Sequence, residues 1–474
     1  MNKQALNPYL PSDEYIADGE PHIFEGRLYI YGSHDSYGGT KFCENDYACW
    51  SAPIEDLSDW RHEGIIYRKN QDPKNKKGKM RMFAPDVCKG TDGRYYLYYG
   101  LSMLPCISVA VCDTPAGEYE FYGYVRHKNG KLYGTEKGDY FPFDPAVFND
   151  EGKIYLYSGF SPADKLMRFG IDLVSPVKGA KGSQVAELCD DMLTVKCVKP
   201  LICGAENSKG TGFEGREFYE ASSMRKFGEK YYFIYSSVLS HELAYAVSDY
   251  PDRGFVYGGT LHSNGDIGIN GNEAALNCWG NNHGSVECIN GRYYVFGHRH
   301  TYWRECSRQG VAEEIFMDEN GWFSSAEMTS CGLNGKPLGL GKYEAGIACN
   351  LYAEQGAEKS VFYKSKKKTA LHPCIMQTEY NDRTSQIIHN MRDGSVATFK
   401  YFECECSELI ITAKGRGTVE IFTDINSLPV AKVYVSSSES FESYSVPFGI
   451  KRKTAVYMRY SGNGCVDIFG IELK

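Results

Sequence analysis

Five segments of the chain repeat one pattern: Gly26-Arg27-Leu28-Tyr29-Ile30-Tyr31, Gly93-Arg94-Tyr95-Tyr96-Leu97-Tyr98, Gly152-Lys153-Ile154-Tyr155-Leu156-Tyr157, Glu229-Lys230-Tyr231-Tyr232-Phe233-Ile234 and Gly291-Arg292-Tyr293-Tyr294-Val295-Phe296. Most copies open on a turn pair, Asp92-Gly93, Glu151-Gly152 or Asn290-Gly291, and continue as an aromatic and branched run. Asn-Gly and Asp-Gly supply the positive φ angles of a tight hairpin, and the residues behind them suit a pleated strand. The copies lie roughly 60–77 residues apart, long for a four-stranded blade but roomy enough for inserted loops. Residues 1–327 are therefore read as a five-bladed β-propeller. No segment carries a sustained helical apolar period, which disfavours an α/β barrel of similar length.

A titratable residue precedes the tyrosine of each copy by roughly ten to twelve positions: Asp18, Asp86, Asp144, Glu220 and His283 in chain order. Copies of one unit stacked around an axis place equivalent positions at equivalent radii. Four carboxyl groups and an imidazole are thus expected to converge, which is the layout of an active site. A purely sugar-binding propeller has no need of a base and an acid across one ring. A scaffold for protein interactions would lack convergent acids.

Past Cys331 the pattern changes. Leu333-Asn334-Gly335-Lys336-Pro337-Leu338-Gly339-Leu340-Gly341 is a Gly-rich connection, and short alternating strands such as Glu408-Leu409-Ile410-Ile411-Thr412-Ala413 and Val466-Asp467-Ile468-Phe469-Gly470-Ile471 follow. So many strands in residues 345–474 predict a second domain, a jelly-roll-like β-sandwich, and an all-β chain. Its aromatics Phe399, Tyr401, Phe402, Tyr444 and Tyr457 read as strand core rather than as a sugar platform. Whether this domain binds carbohydrate or packs on the propeller to complete a pocket stays open.

A net charge of −8 and the lack of a basic patch with interleaved aromatics argue against nucleic acid. The short runs Lys74-Asn75-Lys76-Lys77 and Lys364-Ser365-Lys366-Lys367-Lys368 read as solvated loops. No stretch approaches the ~20 apolar residues of a membrane span, and no signal-peptide h-region opens the chain. Seventeen cysteines, an odd number without a secreted-domain framework, suit a reducing cytoplasm. A homo-oligomer is compatible with the sequence.

Several motifs strongly resemble glycoside hydrolase family 43. They are Asn7-Pro8-Tyr9-Leu10-Pro11 through Ala17-Asp18-Gly19-Glu20-Pro21-His22, Ala84-Pro85-Asp86, Asp144-Pro145-Ala146-Val147-Phe148, Tyr219-Glu220-Ala221-Ser222-Ser223, and Asn281-Asn282-His283-Gly284-Ser285 with His298-Arg299. They fall in family order over about two thirds of the chain, and the remainder is similar to carbohydrate-binding module family 6. The resemblance implies an inverting glycosidase releasing β-D-xylose or α-L-arabinofuranose from small hemicellulose oligosaccharides. Galactan- or arabinan-acting relatives and a non-catalytic sugar-binding propeller are the alternatives. It implies Asp18 as general base, Glu220 as general acid, and Asp144 as the group that orients Glu220 and raises its pKa by like-charge repulsion. Of Glu214, Glu217 and Glu220, only Glu220 is followed by small residues at a blade start. Arg299, Asp86, Phe83 (where many relatives carry Trp) and His283 are implied as substrate contacts. The family also holds a hydrated calcium or sodium ion against the histidine at His283, a structural rather than a required cofactor.

Overall fold

The computed structural model of the chain describes residues 5–102, 104–177, 181–363, 370–380 and 383–474. The basic run Lys364-Ser365-Lys366-Lys367-Lys368 lies outside the described residues. Lys74, Lys76 and Lys77 are exposed, as expected of a solvated loop.

Among the described residues, five sheets form the blades of a propeller, antiparallel throughout except for a short parallel pair, Arg126–His127 against Thr194–Val195, at the edge of the third. Their innermost strands are Ile16–Phe24, Asp86–Lys89, Ala146–Asp150, Phe218–Phe227 and Val286–Ile289. The five repeated segments are the second strands, Arg27–His34, Tyr95–Gly100, Lys153–Gly159, Lys230–Ser237 and Arg292–His300. Three of the hairpins join through two successive positive-φ residues, Glu25-Gly26, Glu151-Gly152 and Asn290-Gly291. That is the type I′ geometry whose twist matches the strands.

The second strands read as unbroken aromatic and aliphatic runs because each blade is covered on both faces. Alternate side chains of a strand point to opposite faces. Tyr95, Leu97 and Tyr99 accordingly pack towards the first blade with Tyr31, Tyr47 and Tyr67. Tyr96 and Tyr98 pack towards the third with Leu156 and Ala186. The same arrangement recurs between blades three and four, four and five, and five and one.

The N-terminal segment adds to the direct packing of blade five on blade one. The fifth sheet has three strands, the last being Arg308–Ile315. Asn7 lies against that strand, its Nδ2 donating to Ala312 O at 3.0 Å and Glu313 Oε1 at 2.8 Å while its Oδ1 accepts from Ala312 N at 2.9 Å. A side-chain amide here imitates a strand residue.

One helix, Lys165–Val174, departs from the expectation of an all-strand propeller. It is inserted in blade three, and Leu166, Phe169 and Leu173 are largely exposed. These side chains do not enter the core, so they leave no trace in the strand pattern.

The C-terminal region forms a nine-stranded, nearly closed sheet beginning with Gly341–Glu344. Its long strand Glu408–Phe422 pairs with Val466–Leu473 along one half and Thr454–Ser461 along the other, with register shifts around Gly415. Phe399 and Phe402 are wholly buried in its core. Tyr401 instead donates from its hydroxyl to Glu327 Oε2 at 2.8 Å, on the propeller side. The second domain packs on the propeller, where Asn350 Nδ2 also donates to Asp266 Oδ2 at 2.6 Å.

Removing the Asn7 amide strands buried partners on the last blade. Asn7→Ala is expected to lower unfolding free energy by roughly 1–3 kcal/mol, read from the midpoint of a urea transition at unchanged slope.

Candidate active site

The innermost strands of blades one and four are irregular where their acidic residues lie. The register shifts between Ala17 and Glu20, and again between Glu220 and Ser223. Such bulges re-aim a side chain away from the regular pleat. Asp18, Asp144 and Ala221 have positive φ angles of 54°, 42° and 67°. Non-glycine residues there are held by their surroundings, a pattern concentrated at functional sites. Gly19 pairs in parallel with Gly284, which brings Asp18 and His283 side by side at the axis.

The structure brings Asp18, Asp144, Glu220 and His283 together. Asp18 and Asp144 are buried, and Glu220 is half-buried. Burial opposes ionisation of Asp18, but the charge of Arg308, with the His283 imidazolium, outweighs it and lowers its pKa to about 2. Arg308 Nη1 donates to Asp18 Oδ1 at 2.7 Å, and its Nε donates to Asp35 Oδ2, also at 2.7 Å. The guanidinium is thus clamped between two carboxylates, a geometry a lysine cannot copy.

Glu220 is driven the other way. Burial and then the charge of Asp144 push its pKa well above the ordinary carboxyl value. Asp144 is also raised, chiefly by burial, against the pull of His283. These two acids repel one another and titrate as a pair. The backbone of Ala221, next to Glu220, works the other way and favours the charged form of Asp144. Glu217 is engaged elsewhere, accepting from Ser208 Oγ at 2.6 Å, and Glu214 is exposed.

His283 is buried, with Nδ1 3.6 Å from Asp144 Oδ2 and Nε2 3.8 Å from Glu20 Oε1. Burial works against its charged form, yet Glu20, Asp144 and Asp18 raise its pKa to about 9. Both ring nitrogens face protein carboxylates. His298, by contrast, is held neutral by burial and by Arg308. Its Nδ1 accepts from Asp18 N–H at 3.5 Å and its Nε2–H faces Asn281 O at 2.7 Å.

Two expected substrate contacts are engaged by protein groups. The Arg299 guanidinium bonds to Gly346 O at 2.5 Å, Gln309 Oε1 at 2.9 Å and Gln386 Oε1 at 2.8 Å, at the contact with the second domain. Strand alternation is the cause. His298 and His300 face the acids, so Arg299 between them must face away. Arg308, paired with His300 across the hairpin, occupies the inward place. Asp86 is also committed, accepting from His22 Nε2 at 2.6 Å and Val147 N at 2.7 Å, so it links three blades below the site. Phe83 is half-buried and heads a row of rings, Phe83–Phe143 at 5.2 Å, Phe143–Phe160 at 4.9 Å and Phe160–Tyr219 at 5.5 Å, which ends beside Glu220.

Residues 19–323 match the family model described as glycosyl hydrolases family 43. The chain belongs to that family. This glycoside hydrolase is 46% identical over its whole length, and over 99% of the other protein, to a xylosidase/arabinosidase of Thermoclostridium stercorarium. A solved β-xylosidase/α-arabinofuranosidase from a compost microbial metagenome, in complex with xylotriose and in a calcium-free form, is 26% identical. It covers 67% of this chain and 96% of its own at a TM-score of 0.51. An arabinoxylan arabinofuranohydrolase from Bacillus subtilis, 17% identical, spans 100% of this chain and 98% of its own at a TM-score of 0.53 and so shares the fold.

Arg308→Lys leaves the burial of Asp18 less opposed, so the carboxyl pKa rises. The acid limb of kcat/KM against pH is expected to move upward by about one unit, whereas Arg299→Lys leaves that limb in place.

Proposed function

We propose that this enzyme hydrolyses β-D-xylosidic and α-L-arabinofuranosidic bonds of small oligosaccharides with inversion. Asp18 serves as base, Glu220 as acid, and Asp144 raises the pKa of Glu220. The observation that carries this reading is the opposed surroundings of two acids at one axis: Asp18 lies against the Arg308 guanidinium, which favours the carboxylate, and Glu220 is desolvated beside Asp144, which favours the carboxylic acid. A base must be ionised and an acid protonated at the same pH, and environments that push two carboxyl groups apart assign those roles. Blades one and four are not neighbours, which suits the roughly 6.5–9.5 Å between carboxyl groups that leaves room for a water. The sugar class follows from the names of the relatives.

In the reaction, Asp18 takes a proton from water as its oxygen bonds to the anomeric carbon. The glycosidic C–O bond breaks as Glu220 protonates the leaving oxygen. Arg308 and Asp35 fix the base, and Asp144 keeps the acid protonated until it is needed. The aromatic row from Phe83 to Tyr219 offers apolar faces to the sugar.

The axis also fits a hydrated cation. His283 Nε2 and Glu20 Oε1 are buried, have no hydrogen-bond partner among the described residues, and stand 3.8 Å apart. Those two atoms would hold a hard cation through its water shell. Bound there, it would supply positive charge beside Asp144, where the imidazolium otherwise provides it.

Asp18→Ala and Glu220→Ala are each expected to cost roughly 10²–10⁴-fold in kcat, assayed on xylobiose. Glu220→Ala should be spared on nitrophenyl β-D-xyloside, whose leaving group needs little protonation, and NMR should show α-xylose as first product. No turnover of either xyloside or arabinofuranoside would reject the sugar assignment. Asp144→Asn removes a repelling charge, so the pKa of Glu220 falls and the alkaline limb of kcat moves to lower pH. Added calcium should raise the thermal midpoint of the parent but not of Glu20→Gln, read by scanning calorimetry.

A further inference from the structure

The second domain reaches the base. Its segment 357–361 lies as an extended strap between two propeller connections, with Trp279 N donating to Glu358 O, Ser360 N to Trp279 O, Val361 N to Trp303 O and Glu305 N to Val361 O. Within it Ser360 is 6% exposed, and its hydroxyl donates to Glu305 Oε2. Glu305, itself buried, accepts from Asn281 Nδ2 at 2.8 Å and Asn281 N at 3.2 Å through its other oxygen. Asn281 Oδ1 then accepts from Arg308 Nη1 at 3.1 Å and from His298 Nε2 at 2.9 Å. The same Arg308 nitrogen holds Asp18.

The direction of each bond in this chain is fixed by chemistry. An arginine only donates and an ionised carboxylate only accepts. The Asn281 amide has one of each to satisfy, so Glu305 on one side and Arg308 on the other admit a single orientation. Gly280 shows how closely the strap is seated. A Cβ there would lie 2.3 Å from Ser360 Oγ and 2.6 Å from Glu305 Oε2, so only glycine allows the pair to close over the backbone. A second contact presses on the same guanidinium. Phe362 meets Phe42 edge-on at 5.4 Å, and Phe42 lies 4.7 Å from the Arg308 guanidinium.

We propose that Ser360 of the second domain and Glu305 are positioning residues for the catalytic base, fixing Asn281 so that Arg308 holds Asp18 towards the attacking water. The proposal rests on the reading of Asp18 as base. It gives the second domain a part in the reaction itself, because the hydrogen-bond chain that ends on Asp18 begins on its strap. A small displacement of a reacting group is costly, since near-attack geometry supplies much of the rate.

The test compares the full-length parent with Ser360→Ala, Ser360→Thr, Glu305→Gln and Gly280→Ala on nitrophenyl β-D-xyloside and on xylobiose. Thermal midpoints identify the variants that fold. Ser360→Ala and Glu305→Gln are expected to lose roughly tenfold in kcat with KM changed less than about twofold. The loss should be equal on both substrates, because the defect is on the water side and not at the leaving group. Ser360→Thr keeps the hydroxyl and should recover to within about threefold of the parent. Parent-like kcat in folded Ser360→Ala and Glu305→Gln would overturn the proposal, as would a loss confined to KM or to xylobiose. Should Ser360→Ala fail to fold, Glu305→Gln and Gly280→Ala decide by the same criteria. Asp18→Ala separates the two levels: if it turns over like the parent, the base assignment fails, and if it is inactive while the strap variants are unaffected, only the positioning proposal fails.

Discussion

Asp18, Asp144 and Glu220 are held largely out of water within one another's field, and that confinement governs the site. Carboxyl groups so placed cannot all ionise, because each new charge pays both desolvation and repulsion. Where the protein puts its cations therefore decides which group carries charge. Arg308 stands on Asp18 and is itself neutralised by Asp35, so the base is ionised. Among the described residues no arginine forms an ion pair with Glu220, whose pKa is raised by burial and then by the charge of Asp144, so it keeps its proton. His283 lies between Asp144 and Glu20 and moderates the repulsion.

The propeller is the means of achieving this confinement. Five blades packed through tyrosine-rich interfaces fix the radius at which the innermost strands end, and those strands carry the titratable groups of the site. Bulges on the first and fourth inner strands then turn Asp18 and Glu220 out of the regular pleat. Asp86, at a regular position, stays in the wall and joins blades through His22 and the Val147 amide. Equivalent positions in the repeat thus diverge in role according to local backbone irregularity.

Below the acids a second layer of buried charge steadies the axis. Arg225 donates to Glu20 at 2.9 Å and to Pro21 O at 2.8 Å, both groups being nearly inaccessible. Leaving either partner alone would strand a charge in a dry interior. Above the acids, the C-terminal sheet meets the propeller through an apolar cluster of Val311, Met328 and Cys349 and through polar contacts at Asp266, Glu327, Glu305 and Arg299. The polar contacts specify geometry more than they add stability, which suits a domain whose strap lies near the reacting groups.

The sequence by itself determined the five-bladed propeller, the following β-rich region and the set Asp18, Asp144, Glu220 and His283, because repeated local patterns are carried by neighbouring residues. The turn pairs fix hairpins, the unbroken aromatic runs report strands covered on both faces, and in-register repeats bring their acids to one axis. Only the tertiary structure decided which arginine meets the base. Arg299 follows the motif in sequence, but a strand turns successive side chains to opposite faces, and the hairpin register places Arg308 inward instead. It likewise took the fold to reveal that Asp86 is paired with His22, that Asn7 bonds to the last strand of blade five, and that a segment near residue 360 lies beside Glu305. Those pairings join residues separated by tens to hundreds of positions, and no local propensity encodes the distance between them.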